Sequence, residues 1–431
     1  MRLVDELLDQ LESEPELVFT LDGQLATVDD YLEVRPENEA LIRSLVAEGR
    51  LAVGPWQILM DEFLVSGETI VRNLQRGVER AGDFGAPMRV GYLPDMFGHV
   101  AQMPQILCRA GIDVAVVWRG VPAAIDRHVF TWEAPDGSSL RTEFLPTGYG
   151  NAAYVLENPE RLGEELAALD EAMRPFFGDD PLLAMVGTDH MESPPDLVAS
   201  VRRTNEARDG HELVLSTLEG YLRRPGGTAG DPKTWRGEMR SPAQSNLLPG
   251  VVSARIDIKA ACARAERLLS RYAEPLQALH GAAWPEAELA LAWGRVIENS
   301  AHDSICGCSA DPVSAQVLVR FDEAEQIASG LAAEAARAAA AQAPGGSVVV
   351  LNPSPSRRAG LVELDVLVPV EWDEVALELP DGSRVGTQEA GRDEPLLYRT
   401  ELLGSEVPTI FRRLHGRELF GRRLNGFSVD V

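Results

Sequence analysis

Polar residues able to do chemistry occur directly after three apolar segments of the sequence. The segments are MRVGYL (88–93), DVAVVW (113–118) and PLLAMVG (181–187), and the residues are Asp95, Arg119 and the pair Asp189 and His190. In folds built on parallel strands, functional side chains gather just past the carboxyl ends of the strands. A helix cap or a loop anchor would explain any one of these residues alone. Because the pattern recurs, we predict that the side chains converge on one rim of a sheet.

A second candidate site lies in the segment NSAHDSICGCSAD at residues 299–311. His302 and Asp303 are adjacent and cannot share one face of a helix, but both can line a site if the helix ends there. Gly307 indicates such an end, because glycine commonly terminates helices in the left-handed conformation.

The cysteines of this segment allow a competing interpretation. His302, Cys306 and Cys308 are residue types that bind zinc, but their spacing is weak support and a fourth ligand is missing. Free cysteines more often behave as small core residues. We therefore favour buried cysteines over a zinc site made of these three residues.

The first half of the chain alternates strand patterns with helix patterns. Further strand candidates are ELVFTLDG (16–23), LAVGPW (51–56) and ELVLST (212–217), and FTWEAPDGSSLRTEFLP predicts a hairpin that turns at Asp136 and Gly137. Helical spacing of apolar residues occurs at 35–49, 66–82, where Ser66 is a cap, 101–111 and 159–176. This alternation predicts a parallel sheet with crossover helices, either open or closed into a barrel.

The rest of the chain is organised differently. Residues 222–250 are rich in proline and glycine, as is typical of a linker. Long helical patterns follow at 251–281, 285–304 and 311–343, and their short connections predict an antiparallel bundle. From residue 347 the apolar pattern has a period of two, which predicts the start of a β domain. The predicted domains are 1–245, 246–345 and 346–431.

The composition restricts the class of protein. The chain has 431 residues, 45% of them hydrophobic, and a formal net charge of −27, as expected for a globular protein with more than one domain. Such an acidic surface repels phosphate groups, so we expect neither nucleic acid nor membrane partners. Few cysteines, no signal-peptide pattern and no long apolar run predict a cytoplasmic location.

Several longer motifs together resemble one enzyme family. They are DYLEVRPEN, GRLAVGPWQILMDEFLVSGE, GYLPDMFGHVAQMPQIL, VVWRG, GTDH, NLLPGVVSARIDIK and ENSAHDSICGCSADPV. In these motifs the chain resembles the α-mannosidases of glycoside hydrolase family 38, particularly their bacterial branch. The resemblance implies an α/β fold: a parallel seven-stranded type of (β/α) barrel, here lacking its first strand, then an antiparallel three-helix bundle and the start of a β-sandwich domain.

The resemblance also implies a function. Family members are zinc-dependent retaining exo-α-mannosidases, so the implied substrates are terminal α-mannosides in an oligosaccharide or a glycoconjugate. Asp95 corresponds to the nucleophile, which is also a zinc ligand, Asp189 to the general acid/base, and His302 to a zinc ligand from the bundle. The residues that correspond to substrate-binding positions, or to electrostatic neighbours of the acids, are Phe97, Arg119 and Asp303.

Retaining hydrolysis explains why two carboxyl groups would be needed. One carboxylate acts as nucleophile while a second, protonated carboxyl group releases the aglycone, and the two lie roughly 5–5.5 Å apart. A metal ion beside Asp95 but not beside Asp189 would keep the first ionised and leave the second protonated.

One departure from the family pattern affects the zinc site. The family's four protein ligands include a His-x-Asp motif on the first strand, whereas the first histidine of this sequence is His99. The sequence therefore supplies two ligands, Asp95 and His302. We expect a fragment or a mis-started or degenerate form of a longer protein, with weak zinc binding and little or no activity.

Other functions stay open. They are a mannosylglycerate-type hydrolase of the same family, a metal-dependent carbohydrate deacetylase and an inactive sugar-binding remnant. Paired carboxyl groups at Asp95 and Asp189 favour glycosidic cleavage over deacetylation, which would centre on water activated by the metal. The linkage and the aglycone are not defined by these residues, and a homo-oligomer is compatible with the resemblance.

Overall fold

The structure is a computed structural model, and it describes residues 1–156, 159–207, 210–224, 232–366, 368, 372–392, 401–406, 408–409, 418–419 and 422–423. The chain forms two compact units, Met1–Arg357 and Arg358–Val431. Among the described residues, no helix combines the length and the apolar character needed to cross a lipid bilayer. The domain boundaries predicted at residues 245 and 345 stay predictions.

Among the described residues of the first unit, the strands lie in two sheets. They are β1 Phe19–Thr20, β2 Leu51–Ala52, β3 Gly91–Leu93, β4 Val114–Val117, β5 Val129–Glu133, β6 Ser139–Phe144 and β7 Thr234–Arg236. β1 and β2 form a parallel pair, and the others form a sheet in the order β3-β4-β6-β5-β7. In this sheet β5 and β6 are antiparallel, as the hairpin at Asp136 and Gly137 predicts, and the other neighbours are parallel. The predicted parallel α/β core is present, whereas closure into a barrel stays a prediction.

Two of the predicted strands, at 181–187 and 212–217, are wrong, because neither segment forms a strand. An asparagine side chain takes the place of a neighbouring strand in each. Asn151 accepts a hydrogen bond from the backbone N–H of Met185 at 2.7 Å and donates to a carbonyl of the same segment at 2.9 Å. Asn205 serves the second segment in the same way. In each segment one backbone N–H and one carbonyl are therefore satisfied by a side chain and not by a ladder.

The predicted helices are confirmed. The α-helices are α1 Arg2–Ser13, α2 Ala26–Val34, α3 Glu39–Ala47, α4 Gly67–Phe84, α5 Met103–Arg109, α6 Leu162–Phe177, α7 Leu197–Ala207, α8 Leu218–Leu222, α9 Ile256–Leu268, α10 Glu274–His280, α11 Glu286–Asn299, α12 His302–Cys306 and α13 Asp311–Ala340. Short 3-10 helices span Pro36–Asn38, Pro159–Arg161, Pro249–Val252 and Gly404–Glu406. Ser66 caps α4 as predicted, since its Oγ accepts a hydrogen bond from the backbone N–H of Thr69 at 3.2 Å.

The helical bundle is built from α9, α10, α11 and α13. A π-helical turn at Leu269–Ala273 joins α9 to α10, so the two form one continuous helical element. These helices share a buried core that includes Ile258, Trp293, Val296 and Phe321. Burial of this apolar face provides most of the stability of such helices. The predicted helical bundle is confirmed.

Glu266 of the bundle also completes the start of α4 in the α/β part. Its Oε1 accepts hydrogen bonds from the backbone N–H of Ser66 at 2.7 Å and from the hydroxyl of Thr69 at 2.5 Å. The carboxylate is buried and lies at a helix N-terminus, where the unpaired N–H groups favour negative charge. One end of α4 therefore depends on a residue about two hundred positions later in the chain.

The second unit contains short antiparallel pairs among its described residues. They are β8 Leu377–Glu378 with β9 Arg384–Val385, and β10 Glu418–Leu419 with β11 Arg422–Arg423. The first pair lies within ALELPDGSRV (376–385), in the region where the period-two pattern predicts a β domain. The apolar segment 347–353, like residues 360–366, forms no strand, and residues 367 and 369–370 lie outside the described residues. A β-sandwich here stays a prediction.

Gly77 of α4 allows the helix to approach the loop that follows β2. A Cβ at this position would lie 2.3 Å from the carbonyl oxygen of Pro55 and 2.4 Å from the backbone nitrogen of Gln57. Gly77→Ala should therefore lower the free energy of unfolding by about 1–3 kcal/mol, the usual cost of overpacking. Urea denaturation of the full chain measures this change.

Gly82 of the same helix provides the matched control. Nothing lies within 4 Å of a Cβ added there. Gly82→Ala should raise the free energy of unfolding by about 0.5–1 kcal/mol, because alanine loses less backbone entropy in a helix. Equal stability of the two variants would contradict the close approach at Gly77.

Candidate active site

The loop that carries Asp95 is fixed by a buried carboxylate. Glu62 accepts a hydrogen bond from the backbone N–H of Val100 at 2.9 Å and pairs with His99 Nδ1 at 2.7 Å, and the side chains of Glu62 and His99 are fully buried. The backbone N–H of His99 donates to the carbonyl of Met239 at 2.9 Å. Strand β3 fixes the start of the loop and this network fixes its end. Asp95 therefore lies at the end of β3, as predicted.

His302 reaches the same place from the bundle. Its backbone N–H donates to the carbonyl of Leu59 at 3.0 Å, and its Nδ1 lies 3.1 Å from the same oxygen. Next to it, Ala301 forms a β-bridge with Met60. Because Nδ1 faces a carbonyl, it must carry the proton, and the lone pair of the imidazole is on Nε2. That nitrogen lies 3.7 Å from Asp95 Oδ2.

This pair can hold a metal ion. Zinc binds imidazole nitrogen and carboxylate oxygen at about 2.0–2.2 Å, so two such atoms on one ion are at most about 4.3 Å apart. The 3.7 Å between His302 Nε2 and Asp95 Oδ2 is within this limit. The carbonyl of Leu59 orients the imidazole in the way that partners outside the ligand set usually do. Asp95 and His302 therefore fit as two ligands of one ion.

Arg119 holds the other oxygen of Asp95. Its Nε donates to Asp95 Oδ1, its Nη1 donates to the carbonyl of Asn246 at 2.5 Å, and its guanidinium lies 3.9 Å from the ring centroid of Trp118. Burial raises the pKa of Asp95, and the hydrogen bond and positive charge of Arg119 oppose that rise. Arg119 is thus an electrostatic neighbour of Asp95, and its role toward a substrate stays a prediction.

Phe97 packs inside this cluster. Its ring is 6% exposed and meets the imidazole of His302 edge-on, with 5.7 Å between centroids. Little of the ring is therefore open to a sugar here. The contact shows that Phe97 supports His302, and its role in sugar binding stays a prediction.

Asp189 lies beside the cluster, but no strand precedes it. Its Oδ2 accepts a hydrogen bond from the hydroxyl of Tyr149 at 2.9 Å. Burial, then the charges of Asp95 and Asp189, raise the pKa of Tyr149, so the hydroxyl keeps its proton. Asp189 also raises the pKa of Asp95, so the two carboxyl groups are electrostatic neighbours. The expectation of a strand exit at Asp189 was wrong, although the residue is near Asp95.

Asp303 borders the site on the bundle side. Its side chain is 65% exposed, and its Oδ1 lies 4.0 Å from His302 Nε2. Among the described residues, Asp303, Cys306 and Cys308 form the group of metal-binding side chains whose ligand atoms all lie within 4.8 Å of one another. His302 does not belong to that group. The prediction of buried cysteines is right for Cys306 and wrong for Cys308, which is exposed.

The sequence interpretation missed Asp22, which follows β1. Its backbone is left-handed, with φ of 45°, and Gln24 Nε2 donates to its carboxylate at 2.7 Å. Asp22 is open to solvent, yet protein atoms crowd it closely, and this desolvation is the main reason that its pKa rises from 3.8 to about 6. The charges of Asp189 and Asp95 add to the rise. Asp95 was selected because it follows a strand. Asp22 follows β1 in the same way, but the predicted strand at 16–23 extended past it.

Comparison with known protein families identifies the family of this chain. Residues 1–238 match the glycosyl hydrolases family 38 N-terminal domain, and residues 246–338 match the alpha mannosidase middle domain. The chain belongs to glycosyl hydrolase family 38. The resemblance read from the motifs is confirmed.

Relatives within family 38 are longer than this chain. A Halalkalibacterium halodurans protein named "Putative mannosylglycerate hydrolase" is 34% identical over 363 residues, covering 79% of this chain and 40% of that protein. Human "Alpha-mannosidase 2C1" is 25% identical over 383 residues, covering 83% and 34%. The crystal structure of an alpha-mannosidase from Enterococcus faecalis V583 gives a TM-score of 0.73 at 32% identity, covering 79% of this chain and 40% of that one.

The raised pKa of Asp22 makes stability depend on pH. Ionising this carboxyl group is harder in the folded chain than in the unfolded chain, so stability falls as pH rises from about 4 through about 6. Asp22→Asn should match the parent chain at low pH and exceed its stability above that window. Urea denaturation at several pH values measures the difference.

Asp113→Asn is a control of opposite sign. A hydrogen bond from Arg223 lowers the pKa of Asp113, so this carboxylate stabilises the fold above its unfolded pKa and loses that effect in acid. Asp113→Asn should cost a little stability at neutral pH and none in acid, since the side chain is 70% exposed. A pH-independent effect of Asp22→Asn would contradict the assigned shift.

Proposed function

We propose that this chain carries catalytic residues of a zinc-dependent, retaining exo-α-mannosidase that hydrolyses terminal α-mannosides. The 3.7 Å separation of Asp95 Oδ2 from His302 Nε2 is the observation that carries the proposal. This distance supports the proposal because two ligands of one zinc ion can lie that far apart, and Asp189 would provide the second carboxyl group. That combination suits a glycosidase that binds its sugar through a metal.

The two carboxyl groups have different roles in cleavage of the glycosidic bond. Asp95 attacks the anomeric carbon and forms a glycosyl ester, while Asp189 gives its proton to the departing aglycone oxygen. Asp189 then takes a proton from water, the water oxygen attacks the anomeric carbon, and the ester bond to Asp95 breaks. The result is mannose with the starting configuration. Tyr149 holds Asp189 through its 2.9 Å hydrogen bond.

The two oxygens of Asp95 have different partners. Oδ1 accepts from Arg119, whereas Oδ2 faces His302. Asp95 and His302 would hold the zinc ion, which when bound supplies Lewis-acid binding of sugar hydroxyls. Arg119 favours the ionised nucleophile through its charge and its hydrogen bond. The exposed carboxyl group of Asp303 borders the position that would receive the sugar, while Phe97 packs against His302.

The proposed substrate class is the terminal α-mannosides, with no particular linkage or aglycone. A mannosylglycerate-type hydrolase is the alternative that the name of the Halalkalibacterium halodurans relative favours. A deacetylase and a non-catalytic sugar-binding protein are less well supported, because neither needs Asp189 beside Asp95. The cytoplasmic location and a homo-oligomer stay predictions.

We further propose that the 431-residue chain alone is a weak enzyme. The resemblance implies four zinc ligands, and the sequence supplies Asp95 and His302 but has no histidine before His99. With two protein ligands the affinity for zinc should be low. Assays therefore need the protein in excess over substrate, with the Enterococcus faecalis alpha-mannosidase as a positive control.

Two substrates with different leaving groups distinguish the role of Asp189 from that of Asp95. Asp189→Asn should slow cleavage of an alkyl α-mannoside about 10²–10⁴-fold, the usual contribution of general acid catalysis, and should slow release of fluoride from α-mannosyl fluoride far less. Asp95→Asn should abolish both reactions, because no ester can form. Single-turnover rates, with mannose detected by chromatography, measure these effects.

Asp22→Asn is the matched comparison for Asp189→Asn, because Asp22 is a second carboxyl group near Asp95. A carboxyl group that binds the sugar should affect both substrates equally, whereas a proton donor should affect the alkyl mannoside selectively. If Asp22→Asn shows the selective loss and Asp189→Asn does not, Asp189 is not the acid. Release of acetate from an N-acetylated sugar, with no mannoside cleavage, would replace the proposal with the deacetylase.

Metal removal tests the role of His302. Chelation should abolish α-mannoside cleavage, and zinc in excess should restore it. His302→Ala should weaken zinc binding, measured by calorimetry, while His280→Ala on α10 should leave it unchanged. Full activity of the chelated chain would rule out the zinc dependence.

A further inference from the structure

Two thiols and a carboxylate meet at the end of α12, and the proposed hydrolysis uses the carboxylate alone. The ligand atoms of Asp303, Cys306 and Cys308 all lie within 4.8 Å of one another, and Cys308 Sγ lies 3.0 Å from Asp303 Oδ1. Zinc binds thiolate sulfur at about 2.3 Å, so two sulfurs on one ion are at most about 4.6 Å apart. A small side-chain adjustment would bring the three atoms to a common ion.

The backbone already holds these side chains together. Gly307 separates the two cysteines and has φ of 79°, and a Cβ there would lie 2.9 Å from the Cβ of Arg255. Lys259 Nζ donates to the carbonyl of Cys306 at 2.7 Å. Ser309 Oγ donates to the backbone carbonyl of Asp303 at 3.1 Å. Lys259 and Ser309 therefore support the turn that places both sulfurs beside Asp303, and both thiols add hydrogen bonds to the Asp303 carbonyl.

This group adjoins the pair that faces Asp95, because Asp303 Oδ1 lies 4.0 Å from His302 Nε2, but it has different ligand atoms. The imidazole of His302 binds the carbonyl of Leu59 through Nδ1 and points Nε2 toward Asp95, and it is not a member of the thiol group. The donor types also differ, because two sulfurs select soft cations, whereas imidazole and carboxylate accept a wider range.

We propose that Asp303, Cys306 and Cys308 form a second metal site, which takes a thiophilic divalent cation such as Cd²⁺ or Zn²⁺. Binding breaks both S–H bonds, releases two protons to the solvent and forms two sulfur–metal bonds, with no change of oxidation state. Cys308 is exposed and gives the ion access, while Cys306 is buried and closes the inner side.

Titration of the reduced, metal-free full chain with Cd²⁺ tests this site. Sulfur–cadmium bonds absorb in the ultraviolet, so the expected result is one equivalent of absorbing Cd²⁺ and release of two protons. Cys308→Ser should lower the affinity by more than about 10–100-fold, the loss that follows removal of even an outer partner of a metal. This variant carries the test, because an exposed residue can be replaced without disturbing the core.

The other two free cysteines are the matched controls. Cys108→Ser and Cys262→Ser should leave the absorbance unchanged, with thermal melting used to confirm that each variant folds. Asp303→Asn should keep the sulfur absorbance and bind more weakly. An unchanged titration in Cys308→Ser, or a loss caused by Cys108→Ser alone, would overturn the proposal, and so would the absence of any absorbance.

Variants of the hydrolytic residues separate this site from the proposed function. Asp95→Asn and His302→Ala should retain the cadmium absorbance, which requires no activity and therefore stands if the chain proves not to be a mannosidase. Loss of the absorbance in His302→Ala would show that the thiols belong to the same metal centre as the imidazole, and the second site would be abandoned.

Discussion

The carbonyl oxygen of Leu59 accepts hydrogen bonds from both the backbone and the imidazole of His302. Each bond contributes about 0.5–1.5 kcal/mol to stability, which is modest. Their larger effect is on orientation, because they fix the tautomer and the direction of Nε2. The imidazole comes from the bundle, and the nucleophile candidate Asp95 comes from β3, so this short contact decides whether the two can act on one ion. The bridge between Met60 and Ala301 protects it on one side.

Negative charge is concentrated around that contact. Asp22, Asp95 and Asp189 lie in each other's field, and desolvation by the surrounding protein raises the pKa of the first two. Arg119 is the cation that touches Asp95 among the residues described, and it is anchored at Asn246 and over Trp118. One guanidinium does not balance three carboxylates. The arrangement therefore favours a further cation or a shared proton, and both are useful to a glycosidase.

The elements of this chain were largely predictable, because helices with an apolar face and buried parallel strands leave clear periodic signals. Asp95 was found by its place after β3, and His302 by the motif that surrounds it. In the segment 181–187, where the predicted strand is absent, the side chain of Asn151 makes two of the hydrogen bonds that a neighbouring strand would make, and no periodic pattern records that.

The site itself was predicted less completely, since it is assembled from loops. No sequence pattern identifies Tyr149, because its role depends on one hydrogen bond to Asp189, which lies 40 residues later in the chain. Asp22 was missed because the predicted strand ELVFTLDG (16–23) included it, so it was not recognised as a residue that follows a strand. The exposure of Cys308 depends on how Gly307 turns the chain after α12, which composition does not specify.

The contact of Glu266 with the start of α4 limits how this architecture can be rearranged in evolution. The N-terminus of a helix in the α/β part is completed by a buried carboxylate from the bundle. Exchange of the bundle for an unrelated helical module would leave those N–H and hydroxyl groups without a partner and expose the helix end to fraying. The two parts should therefore be inherited together, and a foreign module would be tolerated where it brings an acid to the same place.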